Sequence, residues 1–156
     1  MTIYYSEQIT KNLLKKNTII NLKGQILALD IGTKRIGVAI SDDKQIFSLP
    51  KEVIVRQSNE KDFTKIAHII NNYKISIIII GLPLNIDKTQ SNMSKFVEKF
   101  SQNLNNFLRN DITIILHDER LTTHSAKQYN NKKKYCDDIA ASLILEDFIM
   151  NHNKIS

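Results

Sequence analysis

One cysteine, Cys136, stands in 156 residues, so no internal disulfide can form and a reducing compartment is expected. No apolar run approaches the roughly 18 residues that span a bilayer. The first residues hold no signal-like apolar core, because Glu7, Lys11, Lys15 and Lys16 interrupt them. The four histidines show no ligand spacing, which argues against a histidine metal centre. Internal repeats, low-complexity segments and an aromatic stacking platform for bases are missing as well. These absences leave a soluble, cytoplasmic, single-domain protein with no membrane partner. The charged fraction of 24% and apolar fraction of 42% agree with that. A net charge of +6 favours an anionic partner, nucleic acid first. A lysine-rich surface is also what composition alone produces in a chain this heavy in Ile and Asn.

What is present is organised around residues 30–42. Asp30 ends an apolar run, Gln25-Ile26-Leu27-Ala28-Leu29, that has no room for a charge unless something pairs it. A turn of Gly32-Thr33-Lys34-Arg35 follows, then a second apolar stretch from Ile36 to Ile40. Two β-rich runs joined by a short Gly-containing turn predict a hairpin. Asp30 then lies in a sheet beside its first turn. A carboxylate that merely stabilises that turn is the plain alternative.

Residues 25–31, 35–42 and 45–55 read as a three-stranded antiparallel meander, with Pro50 confining the third strand to an edge. Phe63, Ile66, Ala67, Ile70 and Tyr73 predict a helix near 60–73. Ile75-Ser76-Ile77-Ile78-Ile79-Ile80-Gly81 is a β-branched run of the kind buried on both faces of a parallel sheet. Leu82 to Asn85 leaves it as a loop. Met93, Phe96, Val97, Phe100, Leu104 and Phe107 stripe a helix over 90–108, best read as core packing. A strand over 111–116 ends at His117-Asp118-Glu119-Arg120. A short helix near 123–129, a lysine-rich loop and a last helix from Asp137-Asp138 complete the chain. That last helix is expected to turn Ala140, Leu143, Ile144 and Phe148 inward. Ahead of all this, Tyr5, Ile9 and Leu13 suggest an amphipathic helix over 6–16 within an N-terminal extension, 1–23. The domain proper spans 24–152. The fold class is α/β, a mixed sheet of meander plus parallel strands flanked by helices.

Sites in open α/β sheets lie beyond the carboxyl ends of the parallel strands. Three acidic residues fall where such a sheet could gather them: Asp30, Glu119 just past its strand, and Asp137 opening the last helix. Singly, Asp137 could be an N-cap and Glu119 a partner of Arg120. Gathered, three carboxylates repel one another unless protonated or loaded with cations. Hard oxygen ligands call for Mg²⁺ or Mn²⁺. Two such ions can activate water and stabilise the leaving oxygen of a phosphodiester.

Four ordered motifs sharpen this: Asp30-Ile31-Gly32-Thr33-Lys34-Arg35-Ile36-Gly37-Val38-Ala39, Gly81-Leu82-Pro83-Leu84-Asn85, His117-Asp118-Glu119-Arg120-Leu121-Thr122-Thr123, and Asp137 to Leu145. Together they resemble the bacterial YqgF family of pre-16S rRNA nucleases, also called Holliday-junction-resolvase-like, over about residues 25–150. The resemblance implies a ribonuclease-H-like fold and a two-metal phosphodiester hydrolase. Its acidic ligands fall on Asp30, Glu119 and Asp137, with Asp138 the fallback for the third. Asp30 would bridge two ions, while Glu119 and Asp137 would each complete one site. Lys34, Arg35 and Arg120 would contact phosphates, and Asn85 and Thr122 would orient substrate or carboxylates. Lys132, Lys133 and Lys134 would track a backbone, or form a solvated loop. Three features depart from the family pattern. The Thr123–Asp137 segment looks short, residues 1–23 lie outside the motifs, and Lys88 stands where a glycine is usual.

Other readings are weaker. Asp-x-Gly-Thr also opens the phosphate hairpin of actin-like ATPases, which need a duplicated domain. A thiol nucleophile at Cys136 with His117 or His124 lacks a third orienting group. The rivals that matter share the partner class. One is a resolvase of four-way DNA, which would act as a homodimer rather than a monomer. The other is a non-catalytic RNA-binding ribosome assembly factor that keeps its acidic site for a structural ion.

Overall fold

The structure, a computed structural model, describes residues 3–7, 24–87, 89–109, 111–119 and 137–153, without the side chains of residues 137, 138, 152 and 153. Its centre is β5 (Ile75–Leu82), in which every residue but Ser76 is buried. So continuous a β-branched run has no polar face to give to water. It is flanked by β2 (Gln25–Ile31) on one side and β6 (Thr113–Asp118) on the other, both parallel to it. β3 (Arg35–Ser41) and β4 (Ser48–Val55) extend the sheet as the expected antiparallel meander. With β1 (Ile3–Tyr5) at the far side of β6, the order is β1-β6-β5-β2-β3-β4, and Pro50 does lie on the edge strand, opposite Ala39.

Period-two alternation divides the sheet into two apolar faces. Leu27, Leu29, Ile78, Ile80, Ile114 and Leu116 face α1 (Asn59–Asn72) and α2 (Asn92–Phe107), meeting Phe63, Ile66, Val97 and Phe100. Ile26, Ala28, Ala39, Ile77, Ile79 and Ile115 face α3 (Asp137–Asn153). Ser58 and Ser91 cap α1 and α2, their side chains accepting from the N–H groups of Lys61 and Ser94. Among the described residues, no helix is long and apolar enough to cross a membrane.

Three local expectations are corrected. β4 starts at Ser48, not residue 45, because the Asp42 carboxylate accepts the backbone N–H groups of Lys44, Ile46 and Phe47. That clamp holds 42–47 as a turn, and Gln45 takes a left-handed φ of 56° within it. In α3 the buried apolar residues are Ala141, Ile144, Leu145, Phe148 and Ile149, with Ser142 buried beside them, whereas Ala140 and Leu143 are only half-buried. Two of the four residues expected inward, Ile144 and Phe148, thus hold that place, and Ala141 and Leu145 take the places expected of Ala140 and Leu143.

The third correction concerns the N-terminus. Ile3–Tyr5 form a strand, β1, paired in parallel with Ile114–Leu116. Tyr5, expected on a helix face, instead donates its hydroxyl to Glu98 Oε1 at 2.9 Å on α2. Ser6 and Glu7 are helical, where the helix expected over 6–16 begins, and the rest of that span lies outside the described residues.

Candidate active site

β2, β5 and β6 run in parallel, so their carboxyl ends share one edge of the sheet. Asp30 is the penultimate residue of β2. Alternation places it on the α3 face, in line with Ile26 and Ala28. Across the hairpin it pairs with Gly37. On the other side it stands one step beyond the Leu29–Ile80 pair, level with Gly81. A carboxylate at a sheet's centre thus has a glycine in each neighbouring strand, and neither brings a side chain against it.

Glu119 follows β6 directly, and its backbone N–H donates to Leu82 O at 3.2 Å, extending the ladder with β5 by one residue. Its side chain folds back over Gly81. A Cβ built on Gly81 would collide with Glu119 Oε1 and lie 2.6 Å from Ile144 Cδ1. Burial pushes the Glu119 carboxyl up to about 8, helped by the negative charges of Asp30 and then Asp118. Two carboxyl groups from separate strands therefore interact at the end of the sheet, and desolvation makes the second charge costly.

Asp137, the third expected ligand, is the first residue of α3, and Asp138 the second. The helix packs on β2, β3, β4 and β5, over the face that bears Asp30. The side chains of Asp137 and Asp138 lie outside the described residues. Among the described residues, no group of three or more metal-binding side chains assembles.

Lys34 and Arg35 are exposed at the β2–β3 turn. That turn is closed by Gly32 N–H donating to Arg35 O at 2.8 Å, where a Cβ on residue 32 would sit 2.7 Å from the same oxygen. Asn85 is engaged within its own loop, its side-chain amide donating to Thr89 Oγ1 at 2.9 Å. Arg120, Thr122, Lys132, Lys133 and Lys134 lie outside the described residues, as do Cys136, His124 and the helix expected near 123–129.

Sequence reasoning missed Arg56 altogether, and of a second group, His117, it missed the partner. Arg56 donates through Nη1 to Gly32 O at 3.2 Å and through its backbone N–H to Lys34 O at 3.0 Å. Its Nε binds the buried Asp62 at 3.1 Å and Nη2 binds Asn59 at 2.9 Å, with the guanidinium against Phe96 and Phe100. One cation so fastens the turn carrying Lys34 and Arg35 to both helices of that face. No spacing rule marks it. The second is His117, two residues before Glu119 on the same strand face. It is buried, joined through Nε2 to Asp147 Oδ2 at 2.6 Å, and edge-on to Phe148. Its period-two relation to Glu119 was a usable signal.

Comparison with known proteins bears on this geometry. The model of the family described as "RuvX: Holliday junction resolvase" matches residues 24–151. A protein of Sulfurihydrogenibium sp. (strain YO3AOP1) named "Putative pre-16S rRNA nuclease" is 41% identical over 131 residues, 80% of this chain and 89% of the relative. One of the same name from Pseudomonas syringae pv. syringae (strain B728a) is 38% identical over 141 residues, covering 83% and 94%. Among solved structures, T. thermophilus RuvC in complex with Holliday junction substrate superposes with a TM-score of 0.56 at 7% identity, over 83% of this chain and 96% of that one. The yeast mitochondrial Holliday junction resolvase Ydc2 gives 0.57 at 9% identity, over 96% and 86%. At such identities the likeness is one of fold, the ribonuclease-H-like sheet.

Proposed function

Because the chain belongs to the RuvX family, we propose that it is a metal-dependent nuclease that hydrolyses phosphodiester bonds at the 5′ end of precursor 16S rRNA in the cytoplasm. The observation that carries this reading is the Asp30–Glu119 pair at the carboxyl end of the parallel strands, with Glu119 packed over Gly81. The names of its relatives support the nuclease activity and the choice of RNA.

The donor set fits divalent cations. Burial and the adjacent Asp30 charge make an ionised Glu119 costly unless positive charge is brought in. Carboxylate oxygens are what Mg²⁺ and Mn²⁺ prefer. Asp30, Glu119 and Asp137 are the residues that would hold two ions. When bound, such ions supply a nucleophilic water and offset charge on the leaving oxygen. The chain's own work is placement. The Gly81 notch seats Glu119 beside Asp30, and the Arg56-braced turn presents Lys34 and Arg35 to the phosphates. On this reading Arg120, Thr122, Asn85 and Lys132–Lys134 add backbone and orienting contacts.

A second reading, resolution of four-way DNA, is favoured by the family's description and would require a dimer with two sites. The test is cleavage. End-labelled RNA spanning the 5′ precursor junction and a four-way DNA junction are each incubated with Mg²⁺, with Mn²⁺ and with chelator, beside Asp30→Asn. Metal-dependent RNA cutting abolished by Asp30→Asn is expected. Symmetric cutting of the DNA alone would replace the first reading by the second. Binding without cutting in either metal, unchanged in Asp30→Asn, would leave a non-catalytic RNA-binding factor.

A further inference from the structure

Resting on the nuclease reading, we infer that Ile86 is a wedge that inserts between bases of the RNA beside the cleavage site. The observation is a contrast between the hydrogen bonding of the described residues of the β5–α2 loop, 83–87 and 89–91, and what they display. Leu84 and Gln90 form a bridge at its base, and Leu84 packs on the core. Asn85 N–H donates to Thr89 O at 3.1 Å and its side-chain amide to Thr89 Oγ1 at 2.9 Å. Thr89 in turn donates its N–H and its hydroxyl to Asp87 Oδ1, at 3.0 and 2.6 Å. Ser91, the cap of α2, closes the stem by donating to Pro83 O at 3.2 Å.

At the tip of this stub stands Ile86, 96% exposed, the most exposed large apolar side chain among the described residues. A single exposed isoleucine is ordinary on a protein surface. This one differs in its mounting. Ordering a backbone costs roughly 1–2 kcal/mol per residue, and here the order serves to hold an apolar, β-branched side chain out in water. β-branching also leaves few rotamers, so the side chain is as stiff as its support.

Position selects the occupant. The loop leaves β5 directly after Gly81 and Leu82, the residues against which Glu119 is seated. Ile86 therefore projects from the edge of the sheet that carries the acidic pair, in a chain of net charge +6. Apolar side chains that meet nucleic acid insert between base steps and unstack them, at a cost of a few kcal/mol repaid by new contacts. Asp87, the acidic residue next to the tip, has its carboxylate turned back onto Thr89.

The experiment uses a precursor-junction RNA with 2-aminopurine placed at successive positions around the cut, and a four-way DNA junction labelled likewise. Fluorescence is read with Asp30→Asn protein, with and without Ile86→Ala, so that binding is seen without turnover. Cleavage is read with otherwise wild-type protein carrying Ile86→Ala, Ile86→Ser or Ile86→Leu. On the RNA, a fluorescence rise near the cut is expected that Ile86→Ala abolishes. A fall in kcat/KM of about 10-fold for Ala and Ser, equivalent to about 1.4 kcal/mol, is expected as well. Leu retains both, and Tm is unchanged throughout because the side chain packs on nothing buried. Normal metal-dependent cutting with equal rates and equal fluorescence in Ile86→Ala overturns the wedge and spares the nuclease. Absence of cutting and binding on both substrates in the wild type overturns both readings together. A rise confined to the DNA junction overturns RNA as the occupant.

Discussion

The carboxylate of Glu119 occupies the space that a side chain on Gly81 would fill. Gly81 has no unusual φ to explain it, so the glycine is there for room. Gly81→Ala is expected to displace Glu119 and to press on Ile144, whose Cδ1 would lie 2.6 Å from the new methyl. A displacement of about 1 Å in a catalytic group costs on the order of 100-fold in rate. Overpacking of this kind destabilises by about 2 kcal/mol. Steady-state cleavage and urea unfolding measure the two effects separately. Wild-type kcat/KM in Gly81→Ala would remove Glu119 from the site.

Glu119 also makes stability depend on pH in a direction opposite to that of most carboxylates. Its proton leaves near 4.5 in the unfolded chain and near 8 in the folded one. Between those values the folded state binds more protons, so the metal-free protein loses stability as pH rises from about 4.5 to about 8. Glu119→Gln abolishes that slope in Tm measured in chelator. Mg²⁺ competes with the same proton, so its affinity by calorimetry rises over the same window. A flat metal-free profile in the wild type would contradict the assigned environment of Glu119.

Arg56 and Asp62 form an ion pair with side-chain exposures of 13% and 1%. Arg56→Ala leaves a buried carboxylate with its backbone partner at Gln57 but without its cation. A loss of about 3 kcal/mol is expected, the usual cost of breaking a buried pair from one side. The turn that bears Lys34 and Arg35 is released at the same time, so cleavage should fall even at temperatures where the variant is fully folded. Arg56→Lys keeps the charge but cannot reach Asp62, Gly32 and Asn59 at once. Its activity should therefore lie close to that of Arg56→Ala.

His117 reaches Asp147 through Nε2, while its Nδ1 is buried with no hydrogen-bond partner among the described residues. Asp147→Ala leaves both ring nitrogens unsatisfied in a site walled by Phe148. About 2 kcal/mol should be lost in chemical denaturation, and Asp147→Asn, which can still accept from the ring, should recover most of it. Equal stability of the Ala and Asn variants would show that the contact contributes nothing.

Much of the architecture was legible in the residues alone. Ile75–Gly81 could only be an interior parallel strand, since a run with no polar alternation has nowhere to lie but between two covered faces. The stripe from Met93 to Phe107 declared its helix, and Asp30 declared itself by being charged at the end of an apolar strand. The four motifs named the family, and the comparisons bear that out. Tertiary structure alone decided the rest. Ile3–Tyr5 are too short for a strand signal, and the helical spacing of Tyr5 with Ile9 and Leu13 pointed elsewhere; they become a strand because β6 offers them an open edge. The inward face of α3 depended on packing, because that helix is apolar on more than one side and the sheet selects among them. Gly81, Arg56 and His117 acquire their meaning from partners 38, 24 and 30 positions away. Side-chain chemistry is local, but the desolvation and contact that tune it arise only when distant segments meet.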